Sequence, residues 1–132
     1  HRQALQDAYA QAGVQAHCVA FIEDMAGAYA WADLVVCRAG ALTVAELAAA
    51  GVASLLVPYP HAVDDHQTGN ARFLANAGAA ILLPQNEMTA ERLLAAITLD
   101  RESLLQMALQ AHDLAKPDAT ARVAQVCMEL AK

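Results

Sequence analysis

The sequence predicts an α/β domain with a Rossmann-like parallel sheet in three layers, and three observations lead to this fold class. Four short apolar runs alternate with segments of helix formers along the 132 residues, a length that suits one domain. Strands that alternate with helices are joined by crossovers that place helices on both faces of a parallel sheet. Alanine, the strongest helix former, makes up a quarter of the chain, and glycine follows three helical segments.

The first half of the chain is predicted to form two helix–strand pairs. Helix formers fill residues 2–12, and the glycine that follows stands where a helix ends. Residues 15–21 (QAHCVAF) are predicted to form a short strand. Residues 24–31 are predicted to form a short helix whose first residue, an aspartate, suits the positive end of the helix dipole. Residues 33–37 (DLVVC) are typical of a strand buried on both faces.

The second half continues the alternation and then becomes wholly helical. Residues 42–50 are predicted to form a helix that a glycine ends, and residues 53–57 (ASLLV) a buried strand that a proline ends. Residues 66–77 form the next predicted helix, and residues 79–83 (AAILL) the last short strand. A proline separates the last two helices, because it disfavours helical backbone at the residue before it. Three final helices are predicted near 89–98, 100–115 and 118–131.

Charge and composition exclude several classes of protein. Eight Lys and Arg residues face fourteen Asp and Glu, so the formal net charge is −6 and we expect no nucleic-acid partner. No apolar stretch reaches the roughly 18–20 residues of a membrane span. Cys18 and Cys37 lie in apolar strand-like runs, and no CxxC spacing includes them or Cys127. We therefore expect buried, reduced thiols of a cytosolic protein and no metal site.

The turn after strand 33–37 has the features of an anion site. Residues 38–43 lead through a glycine into a helix, where free N–H groups and the helix dipole favour phosphate. Glu46 lies one turn into that helix, and a carboxylate there can accept hydrogen bonds from two adjacent ribose hydroxyls. The alternative is a capping box, in which Thr43 caps the helix and Glu46 reaches back. On the residues alone we favour the capping box.

A polar cluster over residues 61–70 (HAVDDHQTGN) follows the strand predicted at 53–57, and its first five residues are predicted to form a loop. The amide of Gln67 offers a donor and an acceptor, which matches the needs of sugar hydroxyls. Asp64 or Asp65 can equally cap the helix that follows. The histidines and aspartates of the cluster imitate a metal-ligand set, but such loop clusters mostly remain solvated, and we expect no metal here.

The turn over residues 21–25 (FIEDM) follows the first predicted strand. Backbone N–H and C=O groups at a strand end can bind the edge of a planar base, with Phe21 or Met25 as an apolar wall. Ordinary core packing of these two side chains is the alternative. Because the carboxyl ends of parallel strands lie at one edge of a sheet, the three turns together indicate a nucleotide-sugar cleft.

Long motifs stand in order along the chain and carry a family resemblance. They are residues 21–26 (FIEDMA), 28–33 (AYAWAD), 36–46 (VCRAGALTVAE), 57–71 (VPYPHAVDDHQTGNA) and 114–117 (LAKP). They closely resemble the MurG family of bacterial peptidoglycan N-acetylglucosaminyltransferases, from about residue 8 to the end. The resemblance implies the two-domain GT-B fold, with this chain in the C-terminal half that binds UDP-N-acetylglucosamine (UDP-GlcNAc).

The resemblance implies roles at the nucleoside end of the donor. The backbone of Ile22 would pair with uracil, in a pocket lined by Phe21 and Met25. Glu46 would hold both ribose hydroxyls.

At the diphosphate, the resemblance implies contacts from the helix start at Ala41, Leu42 and Thr43, next to Gly40. Arg38 belongs to the same motif, but the resemblance assigns it no firm role. Two roles are considered: a buried hydrogen-bonding residue of the fold, or a residue that faces the phosphate.

At the sugar, Gln67 resembles the second of two glutamines that contact the GlcNAc hydroxyls. His66 stands where other family members have the first glutamine, and Asp65 precedes it.

The resemblance implies transfer of GlcNAc to the lipid-linked acceptor lipid I, which gives lipid II with inversion at the anomeric carbon and without a cofactor. The chain starts at His1 rather than Met, so we expect residues 1–132 to be a donor domain truncated at its N-terminus. The acceptor domain, which would contact lipid I and the inner face of the membrane, would then be absent, and this piece alone would be soluble and inactive. Two alternatives are the donor domain of another GT-B UDP-sugar transferase and a non-enzymatic UDP-sugar-binding module.

Overall fold

A computed structural model gives the fold of residues 1–61 and 63–131, in which helices surround a small sheet. The helices are α1 (Arg2–Gln11), α2 (Met25–Trp31), α3 (Ala41–Ala50), α4 (His66–Ala75), α5 (Ala90–Ile97), α6 (Arg101–Asp113) and α7 (Ala119–Leu130). The strands are β1 (Val35–Cys37), β2 (Ser54–Leu56) and β3 (Ala80–Leu82). Two short 3-10 turns span Val63–Asp65 and Gln85–Glu87.

The three strands form one parallel sheet in the order β1-β2-β3. Ser54 of β2 pairs with Val35 on one side and with Ala80 on the other. Helix α3 connects the first two strands and α4 the last two, as parallel strands require a crossover. All three strands therefore end at the same edge, and the predicted α/β fold is confirmed.

The core has two unequal layers, one on each face of the sheet. Leu56 points to the larger layer, where it packs with Leu47 of α3, Leu74 of α4 and Ala111 of α6. Leu55 points to the opposite face, which α5 covers through a smaller cluster. This alternation is what a strand buried on both faces requires, since successive side chains point to opposite faces. The same prediction for residues 33–37 is wrong, because Val36 of β1 is 49% exposed and the cluster under α5 does not include it.

The predicted strand over 15–21 is wrong. In the described part of the chain residues 15–21 form neither helix nor strand, with a bend at Ala20, and their side chains are exposed or half-buried. A strand exists only where a neighbour satisfies its backbone groups, and none of the three described strands pairs with it. The run of apolar residues was therefore an insufficient signal by itself.

Most other elements match their prediction to within two residues at each end. The Asp24 carboxylate accepts a hydrogen bond from the backbone N–H of Gly27 at 2.8 Å, which caps α2. Gly51 ends α3 in the left-handed conformation at φ 63°, where glycine avoids the steric cost. Of the predicted loop 61–65, Ala62 lies outside the described residues and residues 63–65 form the first 3-10 turn.

The cysteines are free, but less buried than predicted. Cys18 and Cys37 are half-buried, and Cys127 is exposed on α7, where the prediction of a buried thiol is wrong. Helix α7 has no buried residue among those described, which explains the exposure. No helix within the described ranges is long and apolar enough to cross a bilayer.

Candidate functional site

The carboxyl edge of the sheet is held together by side chains rather than by backbone pairing alone. The strand ladder extends past β1 and β2, since the Val57 N–H donates to the Cys37 carbonyl at 2.8 Å and the Leu83 N–H to the Leu56 carbonyl at 2.9 Å. After these bonds each of the three strands continues into a turn. Side-chain hydrogen bonds fix the positions of these turns relative to one another.

Arg38 links the ends of all three strands. Its Nη1 donates to the carbonyl oxygens of Val57 at 3.2 Å and Pro58 at 3.0 Å, and its Nη2 donates to Gln85 Oε1 at 2.7 Å. The guanidinium also lies over the Tyr59 ring, 5.5 Å from its centroid. Arg38 is therefore a hydrogen-bonding residue of the fold, although its side chain is exposed rather than buried.

Two amide side chains of α4 bond to the segment after β2 and to the turn before α3. Gln67 Oε1 accepts from the Tyr59 N–H at 2.9 Å, so its NH2 group is the part that can still donate to a ligand. Asn70 Nδ2 donates to the Ala39 carbonyl at 3.1 Å, which fixes the turn just before α3. The structure thus brings Gln67 and the start of α3 to one edge, as predicted.

The start of α3 differs from the capping box. The N-cap is Gly40, and no side chain caps the helix there, so the capping-box interpretation is wrong. Thr43 is the third helical residue and Glu46 the sixth, both too far along to serve as Ncap and N3. The first N–H groups of a helix have no partner within the helix, so those of Ala41 to Thr43 remain for an anion.

Glu46 points to α2, where it meets Tyr29. The Tyr29 hydroxyl donates to Glu46 Oε2 at 3.0 Å. Burial, followed by this hydrogen bond and the negative charge of Glu46, raises the pKa of Tyr29 to about 12, so the phenol keeps its proton at neutral pH. The two residues border a cavity of about 440 Å³ between α2 and α3, with Met25 at one end.

The turn before α2 is open. Phe21 is 79% exposed and Met25 38%, so the alternative of ordinary core packing fails for both, and Ile22 is 43% exposed. Among the described residues, no hydrogen bond engages the Ile22 backbone. Leu42 at the start of α3 is likewise 80% exposed. These residues therefore present apolar side chains and free backbone groups, and of the turn 21–25 Met25 is the residue that shares a cavity with Glu46.

The loop before α4 contains strained backbone. Asp64 and Asp65 have φ of 52° and 51°, in the left-handed region that is costly for residues with a side chain. Asp65 is the N-cap of α4, as predicted for one of the two, but its carboxylate accepts from the Thr68 hydroxyl at 2.6 Å rather than from a backbone N–H. His66 begins α4. No cluster that could hold a metal ion occurs among the residues the structure describes.

Four residues that shape this edge were absent from the predicted site: Tyr29, Tyr59, Asn70 and Gln85. All but Gln85 lie inside the quoted motifs, so their position was a usable signal. Gln85 follows the third strand and lies outside these motifs. No signal in the sequence marked it, because its contact with Arg38 spans 47 residues.

Comparison with known proteins identifies the family of this domain. Residues 1–125 match the family described as Glycosyltransferase family 28 C-terminal domain. The chain belongs to that family. A relative from Dechloromonas aromatica, named UDP-N-acetylglucosamine--N-acetylmuramyl-(pentapeptide) pyrophosphoryl-undecaprenol N-acetylglucosamine transferase, is 67% identical over 132 residues, which are 100% of this chain and 38% of the relative. A protein of the same name from Azoarcus is 68% identical over 98% of this chain and 36% of its own length.

A solved structure supports the same assignment. The crystal structure of Acinetobacter baumannii MurG superposes on this family 28 domain with a TM-score of 0.89 at 48% identity, over 97% of this chain and 38% of that one. The domain thus spans well under half the length of the relatives it matches. The GT-B half predicted from the sequence is confirmed.

Proposed function

We propose that this domain binds the donor in a glycosyltransferase that moves GlcNAc from UDP-GlcNAc to lipid I, forming lipid II. The relatives named for this transfer match nearly the whole chain. The observation that carries the proposal is the uncapped start of α3 beside the Tyr29–Glu46 pair, since it sets an anion site next to a carboxylate. A nucleoside diphosphate needs both.

The donor would lie along the carboxyl edge from α2 to α4. Uracil would meet the free backbone of Ile22, with Phe21 and Met25 as walls, and the ribose would meet Glu46. The diphosphate would accept hydrogen bonds from the first N–H groups of α3, and the Gln67 amide would donate a hydrogen bond to a GlcNAc hydroxyl.

This arrangement would act on the leaving group. The acceptor hydroxyl would give its proton to a base outside this domain and attack the anomeric carbon. The bond to the diphosphate oxygen would break and UDP would depart, so negative charge would grow on the diphosphate. N–H groups aimed at that charge stabilise the transition state more than the ground state. Glu46 and Gln67 would hold the donor in the reactive orientation. Arg38, already engaged with Val57, Pro58 and Gln85, would keep the edge in shape rather than bind phosphate.

Acceptor binding would belong to another domain of the gene product. The chain spans 38% of its relative from Dechloromonas. The proposed enzyme would bind lipid I through the part of the gene product that corresponds to the remainder of that relative. The same remainder would attach the protein peripherally at the cytoplasmic face of the inner membrane. The 132 residues alone would bind UDP weakly and transfer nothing.

The test is a donor panel with the gene product that contains this chain. A lipid I analogue is incubated with UDP-GlcNAc, UDP-glucose or a TDP-sugar, and the product is identified by its mass. Transfer from UDP-GlcNAc alone is expected. Preferential transfer from another donor would assign a different GT-B transferase, and donor binding without transfer to the analogue would leave a binding module. Either result overturns the proposal.

A further inference from the structure

The phenol of Tyr29 is a fixed hydrogen-bond donor. The Asp24 cap sets the start of α2, and the Tyr29 ring packs against the main core cluster, half-buried. The hydroxyl at the end of the ring donates a hydrogen bond to Glu46, which lies 17 residues further along the chain. Since the ring is held on one side by the core, the donor has a defined position before any ligand arrives.

Glu46, in contrast to Tyr29, is exposed, and no core packing holds its side chain. Tyr29 engages only one of its two oxygens, Oε2. A carboxylate has about four lone-pair sites, so Glu46 can accept further hydrogen bonds, and it lines the cavity between α2 and α3. Without the phenol, the Glu46 side chain would sample several rotamers, and a ligand would have to order it on binding.

We propose that Tyr29 is a positioning residue that holds the Glu46 carboxylate in the orientation that receives the ribose hydroxyls of a uridine diphosphate. The inference rests on the proposed function, because it needs a ribose at Glu46. Tyr29 acts on the ligand through Glu46. It acts by fixing one carboxylate oxygen so that the other can accept from the 2′ and 3′ hydroxyls.

The experiment compares UDP with 2′-deoxy-UDP on the gene product that contains this chain. Dissociation constants are measured by calorimetry for the wild type, Tyr29→Phe, Glu46→Ala and the double variant. Tyr9→Phe on α1 serves as the matched control, since it removes a phenolic hydroxyl far from Glu46 in sequence and outside that cavity. The ratio of the two affinities in one preparation does not depend on the fraction of folded protein, so partial unfolding cannot imitate the effect.

The wild type should prefer UDP over 2′-deoxy-UDP, and Tyr29→Phe should weaken UDP binding about five- to tenfold, the size of one ordinary hydrogen bond. Binding of 2′-deoxy-UDP should weaken much less, so the preference shrinks. Tyr29→Phe should add nothing in the Glu46→Ala background, and Tyr9→Phe should match the wild type.

Two results would overturn the inference, and they are distinguishable. If Tyr29→Phe weakens both ligands equally and keeps the wild-type preference, Tyr29 has only a structural role while the proposed function stands. If the wild type binds neither UDP nor 2′-deoxy-UDP, the proposed function itself fails.

Discussion

Arg38 Nη2 lies 2.7 Å from Gln85 Oε1, so the residue after the first strand is hydrogen-bonded to a turn beyond the third. The same guanidinium bonds two carbonyls after the middle strand. A single planar donor fork thus spans the edge at which a parallel α/β sheet binds its ligands. The relative positions of the turns at this edge therefore depend in part on the Arg38 side chain.

Replacing Arg38 by lysine should destabilise the fold although it keeps the positive charge. Lysine presents a point charge rather than a planar fork and cannot serve both Val57–Pro58 and Gln85 together. We expect a loss of about 1–3 kcal/mol in the free energy of unfolding, measured by urea denaturation. Arg72→Lys on α4, whose side chain is exposed, is the control and should change stability by less than about 0.5 kcal/mol. Equal stability of both variants would contradict the role of Arg38.

Two glycines should respond oppositely to alanine. Gly51 has φ 63°, and a Cβ there would lie 3.1 Å from the Cβ of His112 on α6. Gly51→Ala should therefore cost about 2 kcal/mol from left-handed strain and crowding. Gly69 lies inside α4 with nothing within 4 Å of an added Cβ, so Gly69→Ala should stabilise the fold by about 0.5–1 kcal/mol. Thermal unfolding of both variants measures this, and a shift in the same direction for both would contradict it.

The sequence predicts those features that are encoded locally. The apolar runs at 33–37, 53–57 and 79–83 each contain an observed strand, because a compact apolar run between turn residues is a local signal. The degree of burial was not encoded locally, since β2 is buried throughout while Val36 of β1 is 49% exposed. Gly51 marks the end of α3 for an equally local reason, the steric cost of a left-handed Cβ. The wrong strand at 15–21 needed a pairing partner, which composition does not reveal.

The candidate site shows the same division. Thr43 and Glu46 have the spacing of a capping box, yet the helix begins at Ala41, so the pattern is three residues out of register with the real cap. Residue spacing cannot tell which residue is the N-cap when a glycine turn precedes it. The role of Arg38 was likewise open, because its partners lie 19 to 47 residues away in sequence. The roles proposed at the ligand stay predictions.

Glu46→Ala should impair donor binding without harming the fold. Because Glu46 does not cap α3, its loss removes only the contact with Tyr29 and the proposed ribose contacts. We expect the KM for UDP-GlcNAc to rise about 10- to 100-fold in the gene product that contains this chain, as for two lost hydrogen bonds of ordinary net strength. Steady-state kinetics and thermal unfolding are measured together, with Glu129→Ala on α7 as control. An unfolded variant with unchanged UDP affinity per folded molecule would count against the ribose role.

Ser54→Ala should leave the fold as stable or make it more so. Ser54 is fully buried in the middle strand, and its hydroxyl has no hydrogen-bond partner among the described residues. A buried hydroxyl without a partner costs about 1–3 kcal/mol, which alanine removes while opening little space. Urea denaturation should give a gain of up to about 1 kcal/mol. The neighbouring Leu55→Ala, equally buried but apolar, should lose about 2–5 kcal/mol. A Ser54→Ala loss of similar size would show that the hydroxyl is satisfied.

The cysteines should react with a thiol reagent in an order set by exposure and pKa. Cys127 is exposed on α7 and should react first. Burial raises the pKa of the Cys37 thiol in β1, so at a given pH less of it is the reactive thiolate, and it should react more slowly than Cys127. Raising the pH from neutral should therefore accelerate Cys37 labelling over a range that extends above that of an ordinary thiol. Time-resolved alkylation followed by peptide mass mapping measures both rates, with the urea-unfolded chain as control, where the two should converge. Labelling of Cys37 before Cys127 in the folded chain would contradict the burial of the Cys37 thiol.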